Sequence, residues 1–187
     1  YYWGGRMDLQ SELKNVGYDV YTVSVGPISP NFDRAIEVFY QIKGGQVDYG
    51  KDKAQKYDLI QKPLSKNYEG LYPLWDAQHP VHIISHSQGG QTARMLEYLL
   101  QNKFSDENSK ILLTKKVGWI KSITTLSCPH NGTILSNKIS EYFPFLQNIT
   151  SFFGMLEDSR INNFYNFDLD QWNLNKRENE SFDDYYN

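Results

Sequence analysis

Apolar residues recur along this chain in two alternating rhythms. Between Arg6 and Val16, Leu9, Leu13 and Val16 stand at helical spacing and Gly17 follows as a stop, which predicts a first helix. Residues 18–25 are rich in β-branched and aromatic side chains and predict a strand, closed by Gly26 and Pro27. Ser29 as N-cap and Pro30 at the first helical position then open a second helix. Phe32, Ala35, Ile36, Phe39 and Ile42 line one of its faces, and Gly44-Gly45 ends it. Residues 46–79 break the rhythm: Pro63, Gly70 and Pro73 punctuate a polar stretch with exposed-looking aromatics, and a short helix is predicted near 51–57.

The clearest pattern follows. Val81, Ile83 and Ile84 form a short apolar run that leads into Ser85-His86-Ser87-Gln88-Gly89-Gly90, and Ala93, Leu96, Leu99 and Leu100 then share a helical face. Residues 102–116 are charged and read as a surface connection, and residues 117–127 read as a buried strand ending at Cys128-Pro129. Strands alternating with helices predict an α/β fold with a mainly parallel sheet covered on both faces. Such sheets carry their site at the carboxyl ends of the strands, so Ser87 and the turn from Pro129 through His130 to Gly132 should share one rim. Residues 134–156 are apolar nearly all round, which calls for burial or a greasy ligand. Residues 134–187 are expected to form a helical lid or cap, or helices packed on the sheet, within one domain covering 1–187.

Where a strand hands over to a helix within so few residues, the apex residue is strained and needs small neighbours. Ser87 is that apex, with Ser85 and Gly89 two positions to either side. Its hydroxyl is expected to stand clear of the sheet, and the Gln88 backbone N–H and the positive end of the following helix are placed to receive an oxyanion. This is the arrangement of a nucleophile elbow; a Ser/Gly-rich turn without chemistry is its plain alternative.

Composition narrows the classes. A length of 187 residues suits one domain, and a net charge of −3 without a Lys/Arg block gives no footprint for nucleic acid. The single cysteine, Cys128, excludes an internal disulfide framework and reads as a buried small hydrophobe. No apolar run is long enough to span a bilayer. The opening on Tyr1, with neither methionine nor signal peptide, and the ending at Asn187 predict a piece of a longer protein. Asn131, Asn148 and Asn179 begin glycosylation triplets, which matter only in a secreted eukaryotic chain.

Six collinear blocks, at residues 2–5, 31–35, 44–50, 86–92, 124–132 and 169–172, carry a resemblance. With them the chain resembles the secreted bacterial triacylglycerol lipases of the staphylococcal and Geobacillus type, and their fungal and plant relatives. The resemblance implies a three-layer α/β-hydrolase fold, lipid-ester hydrolysis through an acyl-enzyme, export, and contact with a lipid interface. It also implies Ser87 as nucleophile and the Gln88 N–H as half of the oxyanion hole.

The chain departs from the family in three ways. The first strand and the His-Gly loop that gives the second oxyanion donor precede the block at 2–5, and the triad acid and histidine follow the block at 169–172. This chain is therefore expected to hold a partial fold and to be inactive alone. After Ser87 the only histidine is His130, which matches a non-triad histidine of the family; it reads as a structural residue or as a substitute base, and His86 reads as structural. The third departure concerns the structural zinc that these lipases hold between two aspartates and two histidines. Asp33 and Asp170 match the aspartates, but Lys53 and Leu59 occupy the histidine positions. Lysine ammonium is not a zinc donor, so no cofactor is expected. Lys53 is expected instead to supply the missing positive charge, pinning the 51–57 helix to the Asp170 region; Asp33 and Asp170 as solvated or helix-capping acids are the alternative.

The same residues leave two other functions open. An acyltransferase uses the same fold with an alcohol in place of water, and a hydrolase relative without its triad serves as a lipid- or partner-binding module.

Overall fold

The computed structural model describes residues 7–26, 29–104 and 108–132. The blocks at 2–5 and 169–172, the 134–187 region, Asp170 and the triplets at Asn148 and Asn179 lie outside the described residues. Among the described residues no helix is long and apolar enough to cross a membrane.

Helix α1 (Leu9–Asn15) starts where Asp8 accepts from the backbone N–H groups of Gln10 and Ser11, satisfying two orphan donors. None of its residues is buried, so it forms by capping rather than by an apolar face. The strand predicted at 18–25 pairs with no other strand among the described residues. Side chains do part of the work of a neighbouring strand: Gln10 donates to the Val20 carbonyl at 3.0 Å, and the Gln41 amide accepts from Ser24 N–H and donates to Ser24 O. A strand needs a ladder, and composition cannot supply the partner.

Helix α2 (Asn31–Lys43) begins one residue later than expected. Pro30 is the N-cap and its carbonyl accepts from Arg34 N–H, whereas the hydroxyl of Ser29 caps nothing and is buried without a partner. The expected apolar residues do face the core, Ala35, Ile36 and Phe39 within it and Phe32 and Ile42 packed against it, but burial extends around the helix, since every residue from 33 to 41 is buried. The polar ones survive burial by pairing. Glu37 accepts from the Lys66 ammonium at 3.0 Å and from the Tyr49 hydroxyl at 2.7 Å, and Lys66 also reaches the Tyr49 oxygen at 3.0 Å. Arg34 is the exception: its Nε and Nη1 are buried without a partner, and burial pulls its pKa down.

Residues 46–79 are more ordered than their composition suggests. Strand β1 (Gly45–Gln46) pairs antiparallel with β2 (Asn67–Tyr68), and α3 (Lys51–Tyr57) lies between them where a short helix was expected. At the crossing of Gly44 and Gly70 only glycine fits: a Cβ on Gly44, at φ +90°, would stand 2.6 Å from the Glu69 carbonyl oxygen. The aromatics are not exposed as a class. Trp75 and Tyr49 are fully buried, and the Trp75 indole donates to Trp119 O at 2.7 Å while its ring packs on Phe39 and Trp119. The 102–116 connection likewise proves to be partly core, with Ser109, Ile111 and Leu112 buried.

Strand β3 (Val81–His86), helix α4 (Gln88–Gln101) and strand β4 (Ile120–Leu126) form the expected parallel βαβ unit, in register from His82↔Ser122 to His86↔Leu126. Leu96, Leu99 and Leu100 of α4 join Ile36 and Phe39 of α2 in the core, with Val81, Ile83 and Ile120 packed against it. The opposite sheet face, with His82, Ile84, Thr124 and Leu126, is exposed. The strands are thus half-buried rather than buried on both faces, because the helices described here pack on one face.

Candidate active site

The site is built where β3 and β4 end side by side. Ser87 sits between β3 and α4 at φ 52°, ψ −128°, a conformation that L-residues avoid, at a cost of about 1–3 kcal/mol. Two backbone bonds hold it there: Ser87 N–H donates to Leu126 O at 2.9 Å, and Gly90 N–H donates to Ser87 O at 3.1 Å. Ser127, at the end of β4, also has positive φ, 49°. Both strand ends therefore turn sharply at one rim, as the βαβ pattern predicts.

The small residues around the elbow are not equivalent. A Cβ on Gly89 would meet only Ser85 Cβ at 3.6 Å, an ordinary contact. A Cβ on Gly90 would run into Cys128 Sγ and stand 2.8 Å from Cys128 Cβ and 3.1 Å from Thr125 Cγ2. The close approach of α4 to the β4 end thus rests on Gly90, which sequence reasoning passed over in favour of Gly89. The pairing with Cys128 is a long-range contact that no local motif encodes. A second link missed from sequence is Gln91, whose side-chain amide donates to Pro129 O at 2.7 Å and ties the first turn of α4 to the 129–132 turn.

Ser87 and Gln88 are both exposed, and the Ser87 hydroxyl makes no hydrogen bond among the described residues. Gln88 opens α4, so its backbone N–H is one of the helix donors without an intrahelical acceptor, at the positive end of the dipole. The site therefore offers an exposed hydroxyl beside an unsatisfied N–H.

The histidines do not complete it. His130 Nε2 lies 3.0 Å from Thr125 Oγ1, and its Nδ1 lies 3.3 Å from Arg94 Nη1 and 3.7 Å from Cys128 Sγ. His79 pairs with Asp76 at 2.9 Å and His82 with Ser122 at 2.7 Å. Among the described residues no histidine is hydrogen-bonded to Ser87. His130 instead braces the 129–132 turn against β4 and α4.

Two of the positions that resemble the family's metal site, Asp33 and Lys53, meet elsewhere, between α2 and α3. Asp33, in the first turn of α2 and fully buried, accepts directly from the Lys53 ammonium of α3. The ammonium also lies 5.5 Å from the Phe32 ring centre and 5.6 Å from that of Tyr49. Burial pulls the Lys53 pKa down to about 8, while the touching carboxylate favours its charged form. Leu59 is half-buried and offers no donor atom.

Comparison with known proteins agrees with this architecture. The chain matches the family model of the lipase-like C-terminal domain over residues 1–187. It is 40% identical to Lipase 1 of Staphylococcus aureus strain MRSA252 and 36% identical to Lipase of Staphylococcus epidermidis. Each alignment takes in 99% of this chain but 28% of the relative. Among solved structures, Staphylococcus hyicus lipase superposes with a TM-score of 0.84 at 36% identity, over 99% of this chain and 49% of that one. EstA from Clostridium botulinum gives 0.77 at 35% identity, over 98% of this chain and 44% of that one. The chain thus spans about half the length of these solved relatives and little more than a quarter of the curated ones. With the family model matched from end to end and the relatives aligned over nearly all of its residues, the chain belongs to the lipase-like C-terminal domain family.

Proposed function

We propose that this chain carries the nucleophile portion of the active site of a serine lipase or carboxylesterase. The observation that supports this most is the strained, exposed Ser87 at φ 52°, held at the strand–helix junction by its own N–H and carbonyl. A residue is kept in such a conformation where the surrounding structure over-determines it, and at a strand-to-helix elbow the result is a presented hydroxyl. A pure binding module has no use for that strain.

In this reading the Ser87 hydroxyl attacks the ester carbonyl and gives its proton to a histidine base contributed by residues outside the described ones. The Gln88 N–H donates to the oxyanion, together with a second donor from elsewhere in the protein. Collapse of the intermediate expels the alcohol, which takes the proton, and leaves the acyl group on Ser87. Water then adds by the same route and releases the acid, returning the proton to the serine. The full protein completes a three-layer α/β-hydrolase fold around the β3–α4–β4 unit, residues 134–187 shape the lid or acyl pocket, and the enzyme is exported to act at a lipid interface. These finer features rest on the resemblance. His130 acts as a brace of the rim rather than as the base.

Labelling with a fluorophosphonate tests the reading. The full-length protein is expected to be labelled at Ser87 and to hydrolyse p-nitrophenyl esters, with Ser87→Ala losing both. The 187-residue chain alone is expected to react slowly and to turn over little ester, because a serine without its base is a poor nucleophile. Full esterase activity in Ser87→Ala would end the proposal. Added alcohol that diverts most product to a new ester would favour acyl transfer.

A further inference from the structure

The donor set between α2 and α3 does not fit the structural zinc that the fold family implies. Zinc takes four nitrogen, sulfur or oxygen donors, almost always in tetrahedral array. Of the four matching positions, Asp33 offers a carboxylate, Lys53 an ammonium and Leu59 a hydrocarbon, while Asp170 lies outside the described residues. The carboxylate that would bind a metal is already occupied by the Lys53 ammonium, and a cation lodged there repels a second one.

We propose that Lys53 is the resident cation of this site, so that the Asp33–Lys53 pair fastens α3 to α2 and the protein keeps this region folded without zinc. Three observations carry the inference together. Asp33 is fully buried, and a buried carboxylate requires a positive partner. Lys53 reaches it from α3, and the rings of Phe32 and Tyr49 flank the ammonium at 5.5 and 5.6 Å. A cation between a carboxylate and two aromatic faces has its charge stabilised from several directions, although its side chain is only 15% exposed. Finally, α3 has seven residues and buries only Ala54 among them. A helix that short gains little from its own hydrogen bonds, and α3, unlike α1, has no side-chain cap at its start, so the tether to the well-packed α2 takes the place that the Asp8 cap has in α1.

The substitution exchanges an ion that can be lost for one attached to the chain. A zinc-held region loosens under chelators and in zinc-poor surroundings, because binding free energy is then folding free energy. A lysine-held region does neither. The family's metal dependence is here replaced by a covalently carried charge.

The test uses the full-length protein, purified in the presence of zinc, dialysed and analysed for metal by mass spectrometry. Its melting temperature is then recorded with and without EDTA. The expected result is no stoichiometric zinc and no shift of the lipase-domain transition on chelation. Lys53→Met takes the adjoining positive charge away from the buried Asp33, and should lower that transition by at least about 5 °C. Asp33→Asn with Lys53→Met removes both charges and should recover part of the loss. Zinc retained at one per chain, or a transition that falls with EDTA and returns with zinc, overturns the proposal. So does a Lys53→Met protein that melts with the wild type. If the single variant fails to fold, the metal content of the wild type and the recovery in the double variant still decide the matter.

Discussion

The α2 region and the rim at the ends of β3 and β4 deal with unfavourable groups in opposite ways. Around α2, most polar side chains are buried but paired, Arg34 being the exception: Glu37 with Lys66 and Tyr49, Asp33 with Lys53, Gln41 with the backbone of Ser24. At the rim, Ser87 and Ser127 carry positive φ, and Ser87 and Gln88 face solvent with a free hydroxyl and an unsatisfied helix N–H. One region removes most of its costs by internal pairing, leaving only Arg34 and Ser29 short, and the other retains strain and unfilled hydrogen-bonding capacity on solvent-facing groups. A group that must meet a substrate cannot already be satisfied, so the rim depends on the rigidity of what it stands on. The tight Gly90–Cys128 contact and the Gln91–Pro129 bond provide that rigidity.

Substitutions on the two sides should separate activity from stability. The largest effect is expected for Ser87→Gly in the full-length protein. Ester turnover should fall by about 10⁴-fold or more, while relief of the backbone strain should raise the melting temperature. A variant that loses turnover and also melts lower would break the contrast.

Next comes Glu37→Gln, which removes the Glu37 charge 3.0 Å from the buried Lys66 ammonium. Unfolding in urea should show a loss of about 3–5 kcal/mol with kcat unchanged for the molecules that remain folded. Adding Lys66→Met should restore most of it, since a buried pair contributes less net stability than the removal of one partner costs.

Gly90→Ala joins the two sides and should have the smallest effect. Crowding Cys128 is expected to cost about 1–3 kcal/mol and to lower kcat/KM by displacing the elbow. Cys128→Ala should recover only part, because the Cys128 Sγ clash disappears while the 2.8 Å approach to Cβ remains.

Much of the candidate site was legible in the sequence. The run from Val81 to Leu100 writes strand, turn and helix in adjacent residues, and the strained serine is the necessary product of that handover. The errors share a physical origin. Residues 18–25 have the composition of a strand, but a ladder requires a partner. Residues 102–116 look like surface because the buried Ile111 and Leu112 lie among lysines and other polar residues, and Lys116 turns its ammonium to the Thr114 carbonyl while resting on the Phe39 ring. Trp75 gives no sign of burial in its neighbourhood of prolines and polar residues; its hole is formed by Phe39 and Trp119, far along the chain.

The sequence by itself determined the parallel βαβ unit, Ser87 at its apex and the family. Each of these resides in local spacing or residue identity. Only the tertiary structure decided that α2 is buried all round, that Gly90 rather than Gly89 is the tight position, that His130 braces the rim, and that Lys53 lands on Asp33. Those outcomes draw on contacts between residues far apart in the chain, such as Lys53 with Asp33, 20 positions apart, and Arg94 with His130, 36 apart. The free energy of a charge or a methyl group there depends on what the fold brings against it, and no local pattern carries that information.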